Sequence, residues 1–183
     1  MNGTEFFTLL SQRQSVRSFL PNEIEPEKLT RCLEAARIAP SACNAQPWTF
    51  VVVTRRDLRE RVAEATSGGV LPLNHFTRQA PVLIVVVRES PNFTSGLGQA
   101  VKKKEFTVMD VGMATLQLSL QAAAEGLGSC ILGWFNEKQV KELLAIPSRK
   151  RAELIVALGY PATPAIRPKL RKPLSDIVRY NRY

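Results

Sequence analysis

The sequence is poor in the groups that run most hydrolytic and metal chemistry: it holds one histidine and three cysteines in 183 residues. His75 has no supporting acid or nucleophile nearby, so no Ser/His/Asp set can be assembled around it, and it reads as a surface or turn residue. H-E-x-x-H, G-x-S-x-G and G-K-[ST] patterns are absent, which removes the main support for metalloenzyme, hydrolase and ATPase readings. Cys32, Cys43 and Cys130 form no C-x-x-C pair, so neither a disulfide framework nor a zinc site is expected. Cys32 and Cys130 lie among apolar residues and read as small core hydrophobes, whereas Cys43 sits in a polar loop. No stretch reaches the roughly 18 consecutive apolar residues of a membrane span. The first residues, with Glu5, Arg13 and Arg17 around short apolar runs, lack a signal-peptide core. The expectation is a cytoplasmic protein with reduced thiols and no membrane partner.

Acidic residues are also scarce, with 16 Asp and Glu against 25 Lys and Arg, a net charge of +9 and a pI near 9.9. Such a balance favours anionic partners. The basic residues are nevertheless spread along the chain, and Lys102-Lys103-Lys104 is the one tight run. Without an aromatic-interleaved strand or zinc-finger spacing, no nucleic acid is expected as a partner. At 45% apolar and 22% charged, residues 1–183 are long enough for one domain with a sizeable core.

Periodicity gives the elements. Residues 3–12 predict a helix with Phe6, Phe7 and Leu10 on one face, and Pro26 opens a second helix that Pro40 ends. The β-branched run 49–54 predicts a strand, followed by a charged helix from Asp57 to about Ala65 and a Ser67-Gly68-Gly69 turn. Residues 81–87 lack alternation, as a strand covered on both faces should. The loop 90–98 is a candidate lid. From about Phe106 to Glu125 a long helix is apolar nearly all round, more than a lone domain of this size readily covers. Residues 129–135 read as extended, with Trp134 and Phe135 as core. Asn136, with Gln139 after it, caps a helix to Leu144, and residues 154–159 form the last strand. The basic, proline-rich tail 160–183 is expected to wrap over another surface. Strands alternating with helices place the fold in an α/β or α+β sandwich class.

The chemistry-bearing residues fall into a few groups. Gly96-Leu97-Gly98 and Gly126-Leu127-Gly128 are poor dinucleotide fingerprints, since one lies in a loop and the other closes a helix. Arg13-Gln14-Ser15-Val16-Arg17 and Lys169-Leu170-Arg171 supply charge-assisted donors of the kind phosphate takes. Between them, Ser41, Asn44 and Gln46 offer hydroxyl and amide groups to a planar heterocycle. A site rich in donors and poor in titratable acid–base groups suits chemistry carried by a cofactor, and a flavin fits: phosphate for the cations, amides for the ring edge, a backbone N–H from Leu132-Gly133 for N5.

Four ordered signals resemble the nitroreductase family of FMN-dependent oxidoreductases: R-x-S-x-R-x-F at 13–19, A-P-S-x-x-N-x-Q-P-W at 39–48, G-L-G-S-C-I-L-G-W-F at 126–135 and K-x-R-K-P-L at 169–174. The resemblance implies an α+β fold, an α/β sandwich with a mixed, mostly antiparallel central sheet flanked by helices. It further implies a homodimer whose C-terminal extension wraps the partner, with FMN at the interface. By position, Arg13, Gln14, Ser15 and Arg17 would hold the phosphate, ribityl and pyrimidine side, with Lys169 and Arg171 closing on the phosphate. Pro40, Ser41, Ala42 and Asn44 would come from the partner subunit, Leu132 and Gly133 would present backbone to the ring, and Asn74 would add a polar contact. Gln46 would support its loop. The implied activity is ping-pong transfer from NADH or NADPH to a small electron-poor acceptor such as a nitroaromatic or quinone, with no side chain required as acid or base. A flavin enzyme of the same fold doing ene reduction or dehalogenation, or a basic polyanion-binding module without redox activity, are the alternatives.

Overall fold

The computed structural model describes residues 2–67, 73–91, 96 and 104–183. In chain order the elements are α1 (Gly3–Gln12), α2 (Pro26–Arg37), β1 (Trp48–Val53), α3 (Arg56–Ser67), β2 (Val82–Arg88), α4 (Phe106–Ala124), β3 (Gly128–Leu132), α5 (Glu137–Leu143), β4 (Arg151–Gly159) and α6 (Leu174–Ile177). Short 3-10 turns occupy Ala42–Asn44 and His75–Gln79, the latter inside a stretch with no clear sequence pattern. Gly68 and Gly69 of the expected turn, and most of the expected 90–98 lid, lie outside the described residues.

The sheet runs in the order β1-β2-β4-β3, and its three strand pairings are all antiparallel. The parallel component is an isolated pairing of Ser15 with Ser129, which lays the 13–17 segment along β3. As its unbroken apolar run requires, β2 is covered on both faces. Its even residues Val82, Ile84 and Val86 pack with Cys32, Ala36, Val111 and Leu118 of α2 and α4. Its odd residues Leu83, Val85 and Val87 pack with Val62, Ala63 and Val140 of α3 and α5. The result is a helix–sheet–helix sandwich in which each fully buried Val, Ile or Leu contributes about 1.5–3 kcal/mol.

Local chemistry sets the element ends. Asn2 and Glu5 form a reciprocal capping box on α1 at 2.9 Å each way. Gly126, at φ 75°, stops α4 in a Schellman arrangement: its N–H and that of Leu127 bond back to Ala123 and Ala122. As expected, Asn136 caps α5 by accepting from the Gln139 N–H at 3.1 Å. Two expectations shift. β4 starts three residues before Leu154, at Arg151, its first turnward residues pairing with β2 across a bulge at Val86/Val87. β3 ends at Leu132, and Trp134 is 68% exposed, so it is not core; Phe135 does pack against the α3–α5 layer.

Helix α2 is tied to its neighbours by charge. Arg31 grips Glu125 at the end of α4 with two bonds of 2.7 and 2.8 Å. At the N-terminus of α2 Tyr160 donates to Glu25 at 2.5 Å, and Lys28 donates to Tyr160 at 2.6 Å and to Glu25 at 3.1 Å. The Tyr160 hydroxyl, with help from the Glu25 backbone and Lys28, holds the Glu25 carboxyl down at about 2 against an ordinary 4.5. A depressed carboxyl binds fewer protons folded than unfolded, so its stabilisation is complete above pH 4.5 and is lost as pH falls toward about 2. Tyr160→Phe should therefore flatten the fall of urea stability across that acid window; an unchanged slope would show that the hydroxyl does not set the Glu25 titration.

Candidate functional site

The 13–17 segment leaves α1 at Arg13 and runs extended beside β3, fixed by the Val16 N–H donating to the Ser129 carbonyl at 2.9 Å. The approach is close because Gly128 has no side chain: a Cβ there would meet Val16 Cγ2 at 2.7 Å. From the end of β4 the tail then returns along the same segment, with the Ala162 N–H donating to the Ser18 carbonyl at 3.0 Å.

Gln14 is the hinge of that contact. Its amide donates to the Ala165 carbonyl at 2.8 Å and accepts from the Arg167 N–H and Nε at 3.2 and 3.1 Å. The Arg167 guanidinium also donates to the Ser15 carbonyl, and Lys169 Nζ donates to the Arg13 carbonyl. These bonds spend backbone oxygens on cations and leave positive charge in excess. Burial lowers the Lys169 pKa, and Arg13, Arg171 and Arg167 lower it further. Burial pushes the Cys130 thiol up, against the pull of Arg17 and Ser15, which face it. Among the described residues no ion pair joins Arg13, Arg17, Arg167, Lys169 or Arg171 to a carboxylate. Such a cluster has the donors and charge that could hold a multiply charged anion.

At the far end of β3, Leu132 is buried and Gly133 exposed. Asn74, in a left-handed conformation at φ 64°, donates to the Thr66 carbonyl at 3.3 Å and the Trp134 carbonyl at 3.0 Å. It thereby pins α3 to the segment after Gly133 and comes to the same end of the strand as Leu132 and Gly133.

The Pro40–Asn44 group follows α2 and sits apart. Ser41 closes this loop, its carbonyl accepting from the Asn44 N–H at 3.0 Å and its Oγ from the Gln46 N–H at 2.9 Å. Gln46 folds its amide back onto Asn44 at 3.2 Å, supporting the loop as expected. No hydrogen bond between described residues joins the loop to the 13–17 segment. Sequence reasoning missed two participants. Arg167 continues the alternation of Lys169 and Arg171 by two residues, and that alternation was the signal for it. Asp110 is the one acid in an otherwise apolar helix, and its carboxylate takes the Ala42 N–H at 3.2 and 3.3 Å.

Chains similar to this antiparallel α+β sandwich with a cation cluster at its edge carry oxidoreductase names. Residues 10–160 match the family model described as the Nitroreductase family, and the chain belongs to that family. A protein of Archaeoglobus fulgidus provisionally named NADH dehydrogenase/NAD(P)H nitroreductase is 33% identical, over 86% of each chain. Iodotyrosine deiodinase 1 of Pongo abelii is 28% identical, over 95% of this chain and 68% of its own. An FMN-dependent nitroreductase of Clostridium difficile superposes with a TM-score of 0.75 at 26% identity, over 97% of this chain and 99% of its own.

Two substitutions test the geometry. Gly128→Ala should cost about 1–3 kcal/mol in urea unfolding, because Val16 must be displaced. Arg167→Ala should speed hydrogen exchange at the Val16 amide while leaving β2 amides protected; equal exchange would show that the tail does not hold the segment.

Proposed function

We propose that residues 1–183 form one FMN-binding domain of a homodimeric oxidoreductase. The enzyme would take electrons from NADH or NADPH and pass them, in ping-pong fashion, to a small electron-poor acceptor such as a nitroaromatic or quinone. The observation that carries this is the group of cations around Lys169 that no carboxylate pairs with among the described residues. The donor set fits the cofactor: Arg13, Arg17, Lys169 and Arg171 for the phosphate, Gln14 and Ser15 beside it, and Asn74, Leu132 and Gly133 toward the ring. Pro40, Ser41, Ala42 and Asn44 would serve the partner's site. FMN held by these residues would supply the hydride and electron chemistry of the exchange between the nicotinamide and the acceptor. The chain's own part is to bind and orient: its cations and amides favour a ring that gains negative charge, and no side chain need hold a proton.

Dimerisation is supported by apolar surface. Phe6, Phe7 and Leu10 of α1 and Met109, Met113 and Leu116 of α4 are exposed on helices packed together. Leu170, Leu174 and Ile177 of the tail are open too, as a segment that wraps a partner would be. No described helix is long and apolar enough to cross a membrane, and we place the protein in the cytoplasm. The deiodinase relative favours one second reading, reductive dehalogenation on the same cofactor.

The deciding experiment is the absorbance spectrum of the purified protein with FMN, before and after anaerobic NADH or NADPH. Flavin bands that bleach, with faster reoxidation by a nitroaromatic than by a halophenol, fit the first reading, and the reverse order fits dehalogenation. A protein that takes up no FMN would return the basic polyanion-binding reading to first place. Arg171→Ala should weaken FMN binding about tenfold or more, the worth of one charge-assisted bond.

A further inference from the structure

Asp110 is 2% exposed, inside the layer that α4 presents to α2 and the sheet. A buried carboxylate is costly unless donors surround it. Among the described residues it has one donor, the Ala42 N–H, which both of its oxygens share at 3.2 and 3.3 Å. What it holds is a loop in an unfavourable backbone state: Cys43, Asn44 and Gln46 have φ of 52°, 50° and 46°, none of them glycine. Such conformations persist only where the surroundings over-determine them. The bonds from Ser41 close the loop on itself, whereas Asp110 ties it by a side chain to the helix layer.

We propose that Asp110 is a positioning residue. Acting through the Ala42 N–H, it holds the Ser41–Gln46 loop in the shape that presents Ser41, Ala42 and Asn44 to the cofactor. This role rests on the flavin reading above. A carboxyl acceptor that is itself buried strengthens that single bond and aims the loop without touching the ligand.

Cys43 reports on the loop directly, because its side chain is exposed while Cys32 and Cys130 are buried. The test compares Asp110→Ala, Asp110→Asn and Ala42→Pro for the rate of Cys43 reaction with a disulfide reagent and for FMN affinity by fluorescence quenching. Proline removes the donor yet suits the backbone, since Ser41 before it is extended at φ −147°, ψ 153°. Asp110→Ala and Ala42→Pro should speed Cys43 labelling and weaken FMN binding by about tenfold. Asp110→Asn, which keeps an acceptor oxygen, should restore most of both. Labelling of Cys32 and Cys130 separates loop release from global unfolding, and Ala42→Pro carries the test if Asp110→Ala does not fold. Unchanged Cys43 rates would overturn the anchor, and faster labelling with unchanged FMN affinity would overturn the positioning role. A wild-type protein that binds no FMN would overturn the flavin reading and this role with it, a result the thiol rates tell apart from failure of the anchor.

Discussion

The site depends on one edge pairing, in which the 13–17 segment lies parallel to β3 at the Ser15–Ser129 contact. It requires Gly128, since a Cβ there would strike Val16 at 2.7 Å. Because that segment occupies the sheet edge, the returning tail has a backbone to bind. Arg167 and Lys169 then reach it through the carbonyls of Ser15 and Arg13. The cations converge because main-chain oxygens gather them, and among the described residues no carboxylate pairs with them to offset their mutual repulsion. That unresolved charge costs stability, which is the basis for proposing an anion there.

The rest of the sandwich serves to hold that edge still. β2, sealed on both faces, carries β1 and β4 on either side, and β3 pairs with β4 on one side and meets the 13–17 segment on the other. α2 is locked at its middle and its N-terminus, to α4 through Arg31–Glu125 and to the end of β4 through Glu25 and Tyr160. Tyr160 is thus a pin at the point where the chain leaves the sheet to become the tail, just before the Phe19–Pro161 bridge.

Most of this fold was legible in the sequence because the deciding signals are local. The unbroken 81–87 run, the Gly126 stop and the Asn136 cap each act within a turn or a strand. The sheet's order was not legible, since only long-range pairing puts β4 between β2 and β3. Trp134 was misread for a related reason. An apolar residue after a strand looks like its continuation, but β3 stops at Leu132 and Asn74 takes the Trp134 carbonyl from across the chain. In the site, the Arg13 and Lys169 motifs declared their charge, whereas Arg167 acts on Gln14 and Ser15 through a fold-dependent meeting 152 or 153 positions apart.

The loop at 41–46 shows how a polar motif and an apolar helix can be one device. Asn44 tolerates a left-handed turn conformation, and by itself such a polar motif describes a loop of many shapes. One shape is selected by an acid in α4 that sequence patterning treats as an interruption of an apolar face. Burial makes that acid effective: out of water, its one N–H partner is worth more, and losing it costs more, than at the surface. The polar loop on the surface and the acid in the interior therefore belong to a single constraint, spanning 68 residues of chain.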